Sequence, residues 1–186
     1  TAQSDWIEVS RICQYRNRQL EQGVACPIAD SKWNMECKKI MSALKKVLIV
    51  GGGIGGLSTA IALRQAGVAQ VDVIEINAEP KVYHVGIVVQ ANFIRAMAAL
   101  GIADQAVEAG FPYQGLRICN VEGEVKAELS GAQLAGEQYP ANLGLTRPAL
   151  HKVLLDAIAR EGVNLKLGLT FEKIEQTPEQ ALVTFT

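Results

Sequence analysis

Histidine is scarce in this sequence, His84 and His151 being the two there are, and the four cysteines show neither Cys-x-x-Cys spacing nor a histidine beside them. Zinc chelation and hydrolysis by a histidine-activated Ser or Cys are therefore not expected, and no metal site or catalytic constellation is assigned. Charge of one sign is also lacking: Lys and Arg number 18 against 19 Asp and Glu, for a net charge of −1. No basic stripe interleaved with aromatics occurs, which argues against a nucleic-acid partner. Long apolar runs are interrupted. Met41-Ser42-Ala43-Leu44-Lys45-Lys46 followed by Val47 to Val50 imitates a secretory signal, but glycines break the run at 51–53 and an acid-ended strand follows. Neither targeting nor a membrane span is expected. Only Cys119 lies outside the first 40 residues, so the body has no disulfide framework and a reducing, cytoplasmic setting follows.

What is present divides into two kinds of material. With 186 residues, 49% hydrophobic and 20% charged, the chain has room for one ordinary globular domain. Both tryptophans (Trp6, Trp33) and Cys13, Cys26 and Cys37 fall in the first 40 residues, and residues 1–46 carry an excess of Lys and Arg that the remainder reverses. Met41 stands six residues before an apolar strand. Residues 1–40 are accordingly read as an N-terminal extension outside the fold, with Met41 as the natural start; a native arm packing on the body is the alternative. Within that segment, Trp6, Val9, Cys13 and Leu20 share one face of a helix that would run from Asp5 to Gln22.

The chain is organised around Val47 to Gly67. Four branched apolar residues, Val47-Leu48-Ile49-Val50, read as a strand buried on both faces, and Leu57 to Gln65 as a helix. Gly51-x-Gly53-x-x-Gly56 lies between them. The first glycine suits a tight turn, the second lets backbone approach a pyrophosphate, and the third lets helix and strand pack closely. The helix then presents free N–H groups and the positive end of its dipole to the anion. A second apolar strand, Val71-Asp72-Val73-Ile74-Glu75, ends in an acid 22 positions after Gly53. That is close to the spacing of about 20 at which a carboxylate accepts from an adenosine ribose. A carboxylate there repels a 2′-phosphate, and Ile76 and Asn77 supply no cation for one, so FAD or NAD suits the site better than NADP.

The remainder reads as alternating strands and helices. Gly86 to Gln90 is extended, Asn92 to Leu100 and Ile102 to Ala109 are helical, and Tyr113 to Asn120 and Val125 to Leu129 form a hairpin around Val121-Glu122-Gly123-Glu124. Gly131 to Ala141 reads as loop. Thr146 then caps a helix with Pro148 in its first turn, Leu150, Val153, Leu154, Ala157 and Ile158 on its apolar stripe, and Gly162 at its end. His151 falls off that stripe and reads as solvated. Arg147 sits at the helix N-terminus, where a cation opposes the dipole. It is either a solvated side chain or one that reaches an anion. Val163 to Leu167, Thr170 to Gln176 and Ala181 to Thr186 complete the strands. Tyr83 and Tyr113 read as packed residues, His84 as an ordinary loop residue and Arg95 as solvated surface; the alternatives are a substrate-cavity wall for the tyrosines, a flavin- or substrate-side role for His84 and a cofactor-facing one for Arg95.

Three blocks in this order carry a resemblance: Val47 to Gly67 with Glu75; Gly86-Ile87 with Asn92 to Ile102; and Leu145-Thr146-Arg147-Pro148-Ala149-Leu150-His151-Lys152-Val153-Leu154. The stretch from Val47 to about Thr186 resembles the N-terminal half of the FAD-dependent aromatic hydroxylases, the para-hydroxybenzoate hydroxylase-like flavoprotein monooxygenases. The resemblance implies an α/β fold: a Rossmann-like, glutathione reductase-like FAD-binding βαβ layer with the start of an inserted substrate sheet. Residues 41–186 would be an incomplete FAD-binding domain, with 113–141 a first excursion into that sheet. It also implies a chemistry in which NADPH or NADH reduces the flavin, dioxygen forms a C4a-hydroperoxide, and oxygen passes to a small aromatic substrate. Carried over by position, Gly51, Gly53, Ile54, Gly55 and Gly56 would hold the FAD pyrophosphate, Glu75 the adenosine ribose, and Arg147 would contact FAD.

Family members place a basic residue after the ribose acid, where this chain has Ile76, and neither an Asp-Gly nor a Gly-Asp dipeptide occurs. The chain is therefore expected to be a fragment that is inactive alone. Other FAD-linked oxidoreductases of the same fold (epoxidase, halogenase, reductase) and a non-catalytic NAD- or FAD-binding module are the alternative readings.

Overall fold

The computed structural model describes residues 3–6, 44–79, 85–177 and 180–186. The chain divides into two compact units, Thr1–Pro80 with Ile158–Thr186, and Lys81–Ala157.

In the first unit, β2 (Lys46–Val50), α1 (Ile54–Gln65) and β3 (Gln70–Glu75) follow one another, and β9 (Asn164–Leu167) completes a three-stranded sheet in the order β2-β3-β9. Both pairings are parallel, with Val47 opposite Val71 and Asp72 opposite Asn164. Parallel strands need a crossover, and α1 supplies it, packing on β3 through a face that buries Leu57, Ala60, Ile61 and Leu63. The central strand buries Val71, Asp72, Val73 and Ile74 consecutively, as a strand covered on both faces must. The expectation that Val47 to Val50 is buried on both faces holds only for Val47. Val50 is 51% exposed, because β2 has a neighbour on one side only within this sheet.

Asp72 is the one buried carboxylate among the described residues, and neutral amides satisfy it: Asn164 Nδ2 donates at 2.8 Å and Gln70 Nε2 at 3.2 Å. The bond to Asn164 joins directly opposed residues and so fixes the register of β9. Arg64, in the last turn of α1, donates to the carbonyls of Val68, Ala69 and Glu161. It thereby ties the end of the crossover helix to the chain that leads into β9.

A second sheet in this unit has the order β1-β11-β10, antiparallel throughout, from β1 (Gln3–Trp6), β10 (Phe171–Gln176) and β11 (Ala181–Phe185). The helix expected from Asp5 to Gln22 gives way at Asp5 and Trp6 to strand, whose backbone pairs with Leu182 and Ala181. Its remainder lies outside the described residues, as do residues 7–40 of the expected extension.

The second unit begins with β4 (Gly86–Gln90), α2 (Ala91–Ala99) and α3 (Ala103–Glu108). β5 (Phe111–Tyr113), β6 (Gly115–Cys119), β7 (Val125–Ser130) and β8 (Asn142–Thr146) follow, and then α4 (Arg147–Arg160), along which the chain passes back into the first unit. Strands β4, β8 and β5 form an antiparallel sheet in that order. One of its faces buries Val89, Leu143 and Leu145, and α2 packs against β4 and β8 with Ile94 and Met97 inward.

Three expectations change here. Residues 142–146 form a strand where the sequence reading assigns no element to 142–145 and takes Thr146 as a helix cap. The single strand expected over Tyr113 to Asn120 is two: β5 ends at Tyr113 on β8, and β6 starts at Gly115 on β7. His151, expected in solvent, is 91% buried on α4. The β6–β7 hairpin turns where expected, with Gly123 at φ +88 and Asn120 bonded to Glu124 through both side chain and backbone. Lys126 chiefly, then Asn120, holds the Glu124 carboxyl below its ordinary value.

Candidate nucleotide site

The turn from β2 into α1 is built by Gly51 to Gly56. Gly51 has φ +108, a conformation that L side chains rarely adopt, and its N–H donates to Ile74 O at 2.7 Å. The turn is thus stitched to the neighbouring strand before it leaves the sheet. A Cβ placed at Gly56 would collide with the carbonyl oxygen of Gly51, so the helix can approach the strand this closely only as glycine. Gly53 and Gly55 differ. A Cβ on either would meet no protein atom within 4 Å, and both residues are exposed. Protein packing does not require glycine at those two positions; the bare backbone leaves room for something outside the protein.

Helix α1 starts without a side-chain cap or an acidic residue in its first turn. Its first internal bond runs from Leu57 N to Gly53 O at 3.0 Å, which leaves the N–H groups of Ile54, Gly55 and Gly56 without an intrahelical acceptor. Three donors at the positive end of a twelve-residue helix, bordered by two glycines that open onto free space, fit a phosphate-bearing ligand.

Glu75, at the end of β3, is half-buried and joined to the same turn. Its Oε2 accepts the N–H of Gly52 at 2.9 Å, while Oε1 accepts the backbone N–H of Asn77 at 3.0 Å and Asn77 Nδ2 at 2.5 Å. The structure thus brings Gly51, Gly53, Ile54, Gly55, Gly56 and Glu75 together. It also adds two residues that the sequence reading did not assign. Gly52 is buried, and a Cβ on it would lie 3.1 Å from Glu75 Cβ. The doubled spacing Gly51-Gly52-Gly53 was the available signal for Gly52, whereas nothing in the sequence pointed to Asn77.

Arg147 belongs to the second unit. Its backbone N–H donates to Val85 O at 2.9 Å, its side chain is exposed, and Thr146 Oγ1 caps the helix by accepting from Ala149 N at 3.3 Å. In the same unit, the face of the β4-β8-β5 sheet opposite the core is an open apolar depression of about 420 Å³, floored by Gly86, Val88 and Gly144 and bordered by Phe111 and Thr146. Phe111 is 73% exposed there. Tyr83 and His84 lie outside the described residues. Among those described, no helix is long and apolar enough to cross a membrane.

The family described as "FAD binding domain" matches residues 45–185. The FAD-dependent urate hydroxylase of Klebsiella pneumoniae is 31% identical over 142 residues, 76% of this chain and 36% of that protein. Aurachin C monooxygenase/isomerase of Stigmatella aurantiaca is 33% identical over 139 residues, 74% of this chain and 35% of that protein. Among solved structures, p-nitrophenol 4-monooxygenase PnpA of Pseudomonas putida DLL-E4 superposes with a TM-score of 0.65 over 76% of this chain and 37% of that one, at 22% identity. The chain spans about a third of the length of the curated relatives it matches.

Proposed function

The chain belongs to the FAD-binding domain family, and from that premise we propose that it is the FAD-binding part of a flavoprotein monooxygenase that hydroxylates a small aromatic substrate with dioxygen. The observation that carries the reading is the joining of Glu75 to the phosphate turn through Gly52 N–H, beside three helix N–H groups without an intrahelical acceptor. The N–H groups of Ile54, Gly55 and Gly56 would hold the pyrophosphate, and Gly51 and Gly53 would shape the turn that receives it. Glu75 would accept from the adenosine ribose. Arg147 would contact FAD, since an exposed cation at a helix N-terminus is not explained by helix stability. FAD, when bound, supplies the redox and oxygen chemistry, and the protein supplies binding, orientation and exclusion of water.

An aromatic substrate is supported by the glycine-floored apolar face beside Phe111, which offers a flat surface to a planar ring. A reduced nicotinamide nucleotide as electron donor and a cytoplasmic location complete the proposal. The body's single cysteine among the described residues, Cys119, is free, which suits a reducing compartment.

The test is titration of the 186-residue chain and its Glu75→Ala and Gly53→Val variants with FAD and with NAD, following flavin fluorescence and thermal unfolding. Stabilisation by FAD that both variants lose is expected. Stabilisation by NAD alone would overturn the flavin assignment.

A further inference from the structure

The acid at the end of β3 does not rely on its own rotamer preference. Asn77 places two donors, backbone N–H and Nδ2, on the single oxygen Oε1 of Glu75, and Gly52 places a third on Oε2. All three are neutral N–H groups from opposite sides of the carboxylate, so its plane is set by two separate stretches of chain. Asn77 is itself anchored. Its carbonyl accepts the N–H of Gly168 at 3.1 Å, and the carbonyl of Glu75 accepts that of Leu169 at 3.0 Å, which ties the turn after β3 to the segment after β9. Ile76, between the two polar residues, is 67% exposed. The turn thus sends its apolar residue outward and folds Asn77 back onto the acid.

A carboxylate already ordered loses little conformational freedom when a ligand hydroxyl arrives, so more of the hydrogen-bond energy appears as affinity. A site built to accept from a hydroxyl also rejects the analogue that lacks it. We propose that Asn77 is the positioning residue of the nucleotide site: it fixes the Glu75 carboxylate for the ribose 2′-hydroxyl and thereby sets the preference for ribonucleotides over 2′-deoxyribonucleotides. Asn77 acts through Glu75 and touches no reacting atom. The inference rests on the reading of Glu75 as ribose acceptor.

Calorimetric titration of the 186-residue chain with ADP and with 2′-deoxy-ADP tests it. The ratio of the two affinities is measured within one protein, so a variant that is merely less stable leaves it unchanged. The wild-type chain is expected to prefer ADP about tenfold or more. Asn77→Ala should bring ADP to within about threefold of 2′-deoxy-ADP while leaving the latter's affinity unchanged. Asn77→Asp, of the same shape but setting a second carboxylate against the first, should do the same. Asn77→Ser, which keeps a short donor, should restore part of the preference. If Glu75→Ala abolishes the preference while Asn77→Ala and Asn77→Asp keep it, Asn77 has no positioning role and the ribose reading stands alone. A preference that survives Glu75→Ala, or wild-type chain that binds both nucleotides equally or neither, removes the ribose reading and this inference with it.

Discussion

Gly52 donates its backbone N–H to Glu75 Oε2 at 2.9 Å, joining residues 23 apart in sequence through a contact that leaves little room for a side chain. A Cβ at position 52 would lie 3.1 Å from Glu75 Cβ and 3.5 Å from Oε2. Gly52→Val must therefore displace the acid from the turn. FAD binding about tenfold or more weaker is expected, the scale of a lost charged hydrogen bond. Fluorescence titration against Gly52→Ala grades the effect, and equal affinity in both variants and wild type would show that the contact does not matter to the cofactor.

Gly56 and Gly53 belong to one motif yet should fail in different ways. Gly56→Ala drives a methyl group into the carbonyl of Gly51, so helix and strand must part; a stability loss of about 1–3 kcal/mol in urea unfolding is expected. Gly53→Ala meets no protein atom and keeps a φ of −78, which alanine adopts freely. Its cost to the fold should stay below about 1 kcal/mol, the scale of a helix N-cap change, while FAD affinity falls about tenfold. Reversal of that order would mean that Gly53 serves packing after all.

The βαβ unit was legible because its signals are local. An apolar run, three spaced glycines and an acid at the next strand end are all visible within Val47 to Glu75. Positions decided by distant partners were not. Asn142 to Thr146 has a glycine at its centre and runs directly into a helix, and it becomes a strand only because β4 and β5 flank it. The continuous alternation from Tyr113 to Asn120 hides a change of partner at Gln114, which no periodicity can report. His151 is buried although it follows the apolar stripe by one residue, because α4 is covered more widely than its Leu150, Val153 and Leu154 face predicts. For the site, Gly52 could have been suspected from the run of three glycines, whereas Asn77 faces Glu75 only because of how the turn around Ile76 folds.

Tyr139 carries a pH signature that can be read directly. Its hydroxyl hydrogen-bonds to Asp104, and this bond first, then partial burial and the charge of Asp104, raises the phenol above its ordinary value of 10.0. Because the folded value is raised, the contribution of this contact to stability is fully present below the unfolded pKa and is lost as pH rises through the folded one. Ultraviolet titration of the phenolate should show a component raised above the ordinary tyrosine value, absent in Tyr139→Phe and shifted down in Asp104→Asn. A titration curve unchanged by Asp104→Asn would show that the contact does not form in solution.

Arg147 offers a case in which stability and affinity should part company. Its guanidinium is exposed at the N-terminus of α4, where the helix dipole is positive and a cation is unfavourable by about 0.3–1 kcal/mol. Thr146 already caps the helix, so the arginine side chain is not needed for that purpose. Arg147→Ala should therefore unfold at the same urea concentration as wild type or a slightly higher one, while FAD binds more weakly. Arg147→Glu should stabilise the helix further and weaken binding more. If the alanine variant instead lost stability and kept its affinity, the side chain would be part of the fold and the proposed cofactor contact would be withdrawn.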